Sequence, residues 1–381
     1  YQFTDDEREA DIIVINSCCF INDAKEESIN TIFEMARYKE EGNCKALVLA
    51  GCLAQRYYYE IKEEIPEIDI CIGTTAIDSI ADALNDFFKE KEKVFCLKNI
   101  DIHAGENAPR NLSTSGSYAY LKIAEGCSNR CTYCAIPYIR GPYVSRPMEE
   151  VLEEAKKLAT AGIKELIVIA QDTTRYGEDL YGESKLSDLL NELCKIDGFE
   201  WIRFLYAYPE SITDELIQTV KNNPKICNYF DIPIQHISDR VLKRMNRRTS
   251  KNNITKLIEK IRNKIPDVTL RTSLIVGFPD ETQEDFNELL EFVKKAKFDK
   301  LGVFMYSKEE GTPAAKLPNQ IHGNTKKARY RKIMEQQSRI SKENLEKKIG
   351  KEYEVLIEDI SFDKKYYIGR TIQDVPEIDG R

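Results

Sequence analysis

Apolar runs and helix-period stretches alternate along almost the whole chain. Residues 11–15, 46–50 and 68–72 read as buried strands, and helical patterns follow them over 23–41, 56–64 and 77–90. Strand–helix alternation of this kind predicts a parallel sheet with helices on its faces. A polar stretch at 101–117, with Gly, Pro, Asn and Ser, reads as a linker. Beyond it the alternation resumes, with strands expected at 118–124, 165–170, 201–206, 229–234, 269–276 and 301–306. Helical patterns at 148–161, 185–195, 213–222, 253–264 and 282–297 lie between them. Six such units suit a barrel-like parallel sheet, although the pattern alone leaves an open sheet standing. In both architectures ligands gather at the carboxyl ends of the strands. A last helical pattern runs over 324–348, and short strands are expected at 353–357 and 366–369.

Length and charge narrow the class. A chain of 381 residues is too long for one core and should divide into two or three domains. It is 42% hydrophobic and 31% charged, without an apolar run long enough to span a membrane, and residues 1–8 lack the apolar core of a secretory signal. The net charge of −8 is a poor footprint for a general nucleic-acid binder and suits a basic partner better. The helical stretch 324–348 departs from this with nine cations against three acids. It reads as a solvated face or as a surface that steers substrate. Residues 350–381 turn acidic again, with eight acids against five cations. They are short for an independent β domain, so a truncated one is expected.

The chemistry is carried by cysteine. Of eleven cysteines, Cys127, Cys131 and Cys134 stand in the run Gly126-Cys-Ser-Asn-Arg-Cys-Thr-Tyr-Cys-Ala135, a C-x3-C-x2-C spacing. Such a cluster favours metal binding in a reducing cytosol over disulfides. A closed zinc site wants four Cys or His ligands, and the nearest histidine in sequence is His103. Iron–sulfur clusters of four irons ordinarily take four thiolates. Three thiolates with no evident fourth leave one iron open to substrate or cofactor. The spacing, with aromatic Tyr133 before the last cysteine, is that of the radical S-adenosylmethionine (radical-SAM) enzymes.

With this motif, three further segments resemble the radical-SAM methylthiotransferases over nearly the whole chain: 135–143, Ala170-Gln-Asp-Thr-Thr-Arg-Tyr-Gly177 and Asp179-Leu-Tyr-Gly182. Within that family they are most similar to the branch that modifies the twelfth small-subunit ribosomal protein. The tRNA-modifying branch typically has a Gln-Asn-Val-Asn type sequence where this chain has Gln171-Asp-Thr-Thr174. The resemblance implies an α/β protein: an amino-terminal parallel α/β cluster domain (1–100), the linker (101–117) and a partial (βα)6 radical-SAM barrel (118–323). A connecting helix (324–349) and the start of a β-rich TRAM domain (350–381) complete it. It also implies two 4Fe-4S clusters and S-adenosylmethionine, with methylthiolation at the β-carbon of an aspartate. The implied partners are a basic ribosomal protein in the cytoplasm and an electron donor such as flavodoxin or ferredoxin.

By the same resemblance Cys127, Cys131 and Cys134 hold the cluster that binds S-adenosylmethionine, whose cleavage yields a 5′-deoxyadenosyl radical. Cys18 and Cys52 match two of the three ligands of the second cluster. The third belongs on a loop expected to precede residue 1, so the second cluster is expected to be incomplete here. Cys19, Cys44, Cys71 and Cys96 read as buried or incidental thiols. Tyr133, Gln171, Asp172, Arg271 and Gly277 are the candidate cofactor contacts. Gln171 and Asp172 would meet the cofactor's amino group, although the superfamily's Gly-Gly-Glu is absent. Gly277 ends Ser273-Leu-Ile-Val-Gly277, which resembles the adenine-contacting motif. Arg271 reads equally as a carboxylate clamp or a structural ion pair. Tyr206, Tyr208, Gln235 and His236 fall at further strand ends and read equally as packing. Two other functions stand beside the main one. A tRNA adenosine methylthiotransferase would lose its product from tRNA digests. An electron-transfer or structural module would hold a cluster whose spectrum ignores S-adenosylmethionine.

Overall fold

The computed structural model describes residues 1–101, 112 and 116–379. Most of the expected linker, His103 included, lies outside the described residues. Those described fall into two compact units.

The first unit holds the residues up to Asp101 together with Gly126–Tyr143 and Ser307–Ala315. Its sheet is built from β1 (Ile12–Ser17), β2 (Ala46–Gly51), β3 (Ile70–Ile72) and β4 (Val94–Cys96), all parallel and in that order. The fourth strand is an addition to the sequence expectation; only three residues long and half-buried, it shows no alternation to read. Residues of β2 are buried on both faces, as a central parallel strand requires. The expected helices 23–41 and 56–64 are each broken in two, at Arg37 and Tyr57. Cys71 is fully buried and Cys44 nearly so, and burial pushes both thiols up, that of Cys71 to about 12. They are core side chains.

The second unit carries the six expected strands. In chain order β5 (Tyr118–Lys122) is followed by the short antiparallel pair β6 (Ala124–Glu125) and β7 (Val144–Ser145). Then come β8 (Glu165–Ile169), β9 (Trp201–Phe204), β10 (Tyr229–Asp231), β11 (Thr269–Val276) and β12 (Lys300–Met305). The parallel ladders run β5-β8-β9 and β10-β11-β12. Backbone bonds from Cys227 N to Ile202 O (2.9 Å) and Ala207 N to Asp231 O (2.9 Å) join the two triplets. Among the described residues no ladder joins β12 to β5, so the sheet is a partial barrel. The helix Gly323–Glu346 follows, then a bulged antiparallel hairpin of β13 (Val355–Ile360) and β14 (Tyr367–Thr371). Among the described residues no helix is long and apolar enough to cross a membrane.

Candidate cluster and cofactor site

The loop Gly126–Tyr143, which carries the three cysteines, is held by its own backbone and by the first unit. Gly126 sits at φ +72°, and a Cβ there would run into the carbonyls of Gly141 and Pro142. Cys127 N donates to Gly141 O (3.1 Å), and Tyr143 N donates to Ser128 Oγ (3.1 Å), which closes the loop's neck. Cys134 N donates to Cys131 O (3.1 Å), a tight turn that keeps the two thiols on one side. Beyond it the short helix Ile136–Ile139 drops Ala135 and Ile139 into the apolar core that also contains Cys19, Cys52, Leu53 and Ala54. Thr74 Oγ1, at the end of β3, donates to Ile139 O (3.1 Å).

Cys127 and Cys131 are buried and Cys134 half-buried. Burial pushes the Cys134 thiol up to about 12, and Cys131 and Cys127 add to that rise. The three are therefore near enough to act on one another. A thiol at such a value is neutral near pH 7, so ligation must displace its proton, as a coordinating metal does. Among the described residues no three Cys, His, Asp or Glu side chains converge on a single metal-ion position. A four-iron cluster asks for a different arrangement, with separate thiolates around a larger body. The donor set fits such a cluster.

Cys18 and Cys52 lie in the same unit, on the loops after β1 and β2. Cys18 is exposed and tied at both backbone groups to Ser28, whose hydroxyl accepts from Cys18 N (3.0 Å) and donates to Cys18 O (2.9 Å). Cys52 begins the helix Cys52–Arg56 and is 8% exposed. Between them Cys19 is fully buried, its thiol pushed up to about 12 first by burial and then by Cys52. Arg56 opposes that rise and donates from Nη1 to Cys19 O (3.1 Å). Sequence reasoning passed over Arg56 although it stands one helical turn beyond Cys52. It also missed Glu309, for which no local pattern gave a signal.

Tyr133 is half-buried on the three-cysteine loop of the first unit, and the other candidates belong to the second unit. Gln171 donates from Nε2 to Glu125 Oε1 (3.0 Å), and Glu125 pairs with Lys122 (2.9 Å). Gln171 Oε1 is buried without a partner among the described residues, an acceptor suited to an ammonium group. Asp172 is fully buried and is put to structural use: it caps the turn Thr173–Arg175 by accepting from Thr174 N (3.2 Å) and Thr174 Oγ1 (2.5 Å). Of the two readings of Arg271 the structure holds the ion pair, with Asp231 Oδ1 at 2.6 Å. His236 is fully buried, accepts from Ser238 N (3.0 Å), and is pushed by burial down to about 3, so it is neutral near pH 7. Tyr208 stacks under Arg247, the guanidinium 3.9 Å from the ring centre, and Tyr206 and Gln235 adopt positive φ at their strand ends.

Gly277 directly follows β11 at φ +72°, where a Cβ would meet the methylenes of Lys326. Its N–H and that of Phe278 (3.0 Å) both donate to Glu281 Oε2, and Arg329 Nη1 lies 3.0 Å from Glu281 Oε1. Burial nevertheless dominates and raises the Glu281 carboxyl to about 7 from an ordinary 4.5. The native chain then keeps a proton that the unfolded chain has released. The resulting stability is complete below the unfolded value and is lost as pH rises through about 7. The urea midpoint of the native chain, read by Trp201 fluorescence, is expected to fall across that window relative to Glu281→Gln. Parallel pH profiles would refute the assignment.

The Radical SAM superfamily model matches residues 121–293, and that of Uncharacterized protein family UPF0004 matches residues 1–73. A protein of Alkaliphilus oremlandii named ribosomal protein uS12 methylthiotransferase RimO is 58% identical over 385 residues, covering 100% of this chain and 85% of its own. The chain belongs to the RimO family of radical-SAM methylthiotransferases. A second RimO relative, from Clostridioides difficile, is 54% identical over 379 residues, with 100% of this chain and 85% of its own covered. Among solved structures, the radical S-adenosylmethionine methyltransferase TsrM of Kitasatospora setae superposes with a TM-score of 0.58 at 13% identity, over 81% of this chain and 66% of that one. That likeness bears on the fold alone. As a RimO-family enzyme the chain is a radical-SAM transferase.

Proposed function

We propose that this enzyme attaches a methylthio group to the β-carbon of an aspartate in ribosomal protein uS12, using two 4Fe-4S clusters. The observation that carries the reading is the gathering of Cys18, Cys52, Cys127, Cys131 and Cys134 in one compact unit, in a chain 58% identical to a RimO. Cys127, Cys131 and Cys134 would hold the cluster that engages S-adenosylmethionine, with Tyr133 beside it. Cys18 and Cys52 would hold the second cluster with one further ligand. When bound, cluster and cofactor supply a radical able to take hydrogen from an unactivated carbon, which no side chain achieves at neutral pH. The chain's own task is to bind, orient and exclude water. Gln171 would receive the cofactor's amino group on Oε1 while Glu125 fixes its amide, and the Gly277 turn would admit the adenine closely.

Arg271 and Asp172 would serve this site by holding strand ends in place. The chain's net charge of −8 supports a basic protein substrate, and a cytoplasmic setting and a flavodoxin- or ferredoxin-like donor belong to the same reading. Residues 350–379 would form part of a TRAM domain, on the strength of the bulged hairpin. Incubating the anaerobically reconstituted enzyme with uS12, reductant and S-adenosylmethionine is expected to add one methylthio group to one aspartate, read by peptide mass spectrometry. An unmodified uS12 alongside methylthiolated adenosine in tRNA would replace this reading with the tRNA one.

A further inference from the structure

Within the first unit one buried ion pair ties together every segment that carries a candidate cluster cysteine. Arg56 Nη1 lies 3.6 Å from Glu309 Oε2, with the two side chains 12% and 4% exposed. Arg56 stands one turn beyond Cys52 on the same helix and holds Cys19 O from the loop after β1. Its Nη2 donates to Glu310 O (2.5 Å). Glu309 faces the other way as well. Its Oε1 accepts from Asn22 N (3.0 Å), the first residue of the helix Asn22–Ala36 that follows Cys18. That helix has Ile21 at its N-cap, which offers no side-chain acceptor, so the carboxylate of a distant segment meets one of its open N–H groups. Ser307 Oγ donates to the same oxygen (2.5 Å), and Thr312 Oγ1 donates to Glu309 O (2.7 Å), which folds the segment on itself. The segment then reaches the three-cysteine loop, where Ala314 N donates to Thr132 O (2.9 Å), between Cys131 and Cys134.

We propose that Arg56 and Glu309 are positioning residues that fix the Cys18 and Cys52 loops against the Cys127–Cys134 loop, so that the two cluster sites keep a fixed separation. This rests on the two-cluster reading above. The geometry argues for such a role over simple cohesion. A carboxylate placed only to stabilise a core would need one partner, whereas Glu309 answers a helix start, a guanidinium and a hydroxyl. Those partners lead to both cysteine loops of the first set, and its own segment leads to the second.

The test uses the full chain, reconstituted anaerobically, as wild type, Glu309→Ala, Glu309→Gln and Arg56→Lys. Iron and sulfide per chain, 5′-deoxyadenosine formed and methylthiolated uS12 formed are measured on each. Glu309→Ala is expected to keep the iron content and the 5′-deoxyadenosine yield while methylthiolated product falls by about tenfold to a hundredfold, the scale of a small misplacement. Arg56→Lys, which keeps the charge, should retain more product than Glu309→Ala. Amide exchange at Asn22 and Ala314 should quicken in Glu309→Ala and Glu309→Gln alike. Equal losses of iron, 5′-deoxyadenosine and product would reduce the pair to a structural one and overturn the proposal, as would product and exchange that both stay at wild-type levels. Wild-type protein with iron for one cluster would overturn the two-cluster reading instead. The link itself would then fall only if exchange at Asn22 and Ala314 were unchanged.

Discussion

Replacing any one of Cys127, Cys131 or Cys134 by serine is expected to lower methylthiolation by more than about a hundredfold, because even partners outside the ligand sphere typically cost ten- to a hundredfold. Each residue has the same reason to matter. The loop neck between Cys127 N and Gly141 O and the turn between Cys134 N and Cys131 O set the three thiols together with little freedom to substitute for one another. No other cysteine in the sequence lies between Cys96 and Cys194 to replace a lost ligand. The measurement is iron and sulfide content with EPR of the reduced protein, with and without S-adenosylmethionine, beside 5′-deoxyadenosine formation. Each variant should lose the signal that responds to the cofactor and should form no 5′-deoxyadenosine, while Cys44→Ser, in the apolar core, keeps both. A responsive signal surviving in Cys131→Ser would remove that residue from the ligand set.

Glu165→Ala is expected to cost about 3–5 kcal/mol of stability, the range found when one member of a buried ion pair is removed. Glu165 and Arg203 are both fully buried, with Arg203 Nε donating to Glu165 Oε1 (2.7 Å). The second carboxylate oxygen meets Arg370 of β14, which also pairs with Glu358 of β13 at 2.7 Å. Glu165 thus faces two guanidinium groups that have no access to water, and among the described residues it is the carboxylate partner of Arg203, while Arg370 also keeps Glu358. Arg203 lies over the Tyr229 ring at 4.7 Å and Arg370 over Tyr118 at 5.4 Å, contacts too weak to replace a lost countercharge. Arg370 approaches the ring of Trp201, the single tryptophan, at 6.0 Å, so fluorescence reports on the unit that should fail. The urea midpoint should fall, and Glu165→Gln, which keeps hydrogen-bonding capacity but not charge, should fall nearly as far. A midpoint unchanged in both would mean that the network adds nothing beyond apolar packing.

Much of the fold was legible because its information is local. Strand–helix alternation is a short-range pattern, and all three first-unit strands and all six barrel strands expected from it are present, with ends displaced by a residue or a few. The failures have physical causes. β4 was too short to show a period, and the helices expected at 23–41 and 56–64 broke at Arg37 and Tyr57, where nothing in the apolar spacing marks a stop. The short helix Asp239–Arg244 was not anticipated, since a six-residue helix offers barely two turns of pattern.

The candidate site divides along the same line. The sequence by itself determined the cysteine chemistry, because the C-x3-C-x2-C spacing of Cys127, Cys131 and Cys134 is a local signature. It likewise determined the parallel α/β class, since periodicity is written residue by residue. Only the tertiary structure decided what distant residues do for one another. It gave Arg271 to Asp231, used Asp172 as a cap, left Gln171 Oε1 open, and joined Arg56 to a glutamate on the segment after the last barrel strand. It also placed Gly126–Tyr143 and Ser307–Ala315 with the amino-terminal sheet, although the first lies between two barrel strands in sequence and the second follows the last of them. Such pairings depend on how the chain closes over hundreds of residues, where burial makes an uncompensated charge costly and so selects its partner. No local pattern encodes that choice.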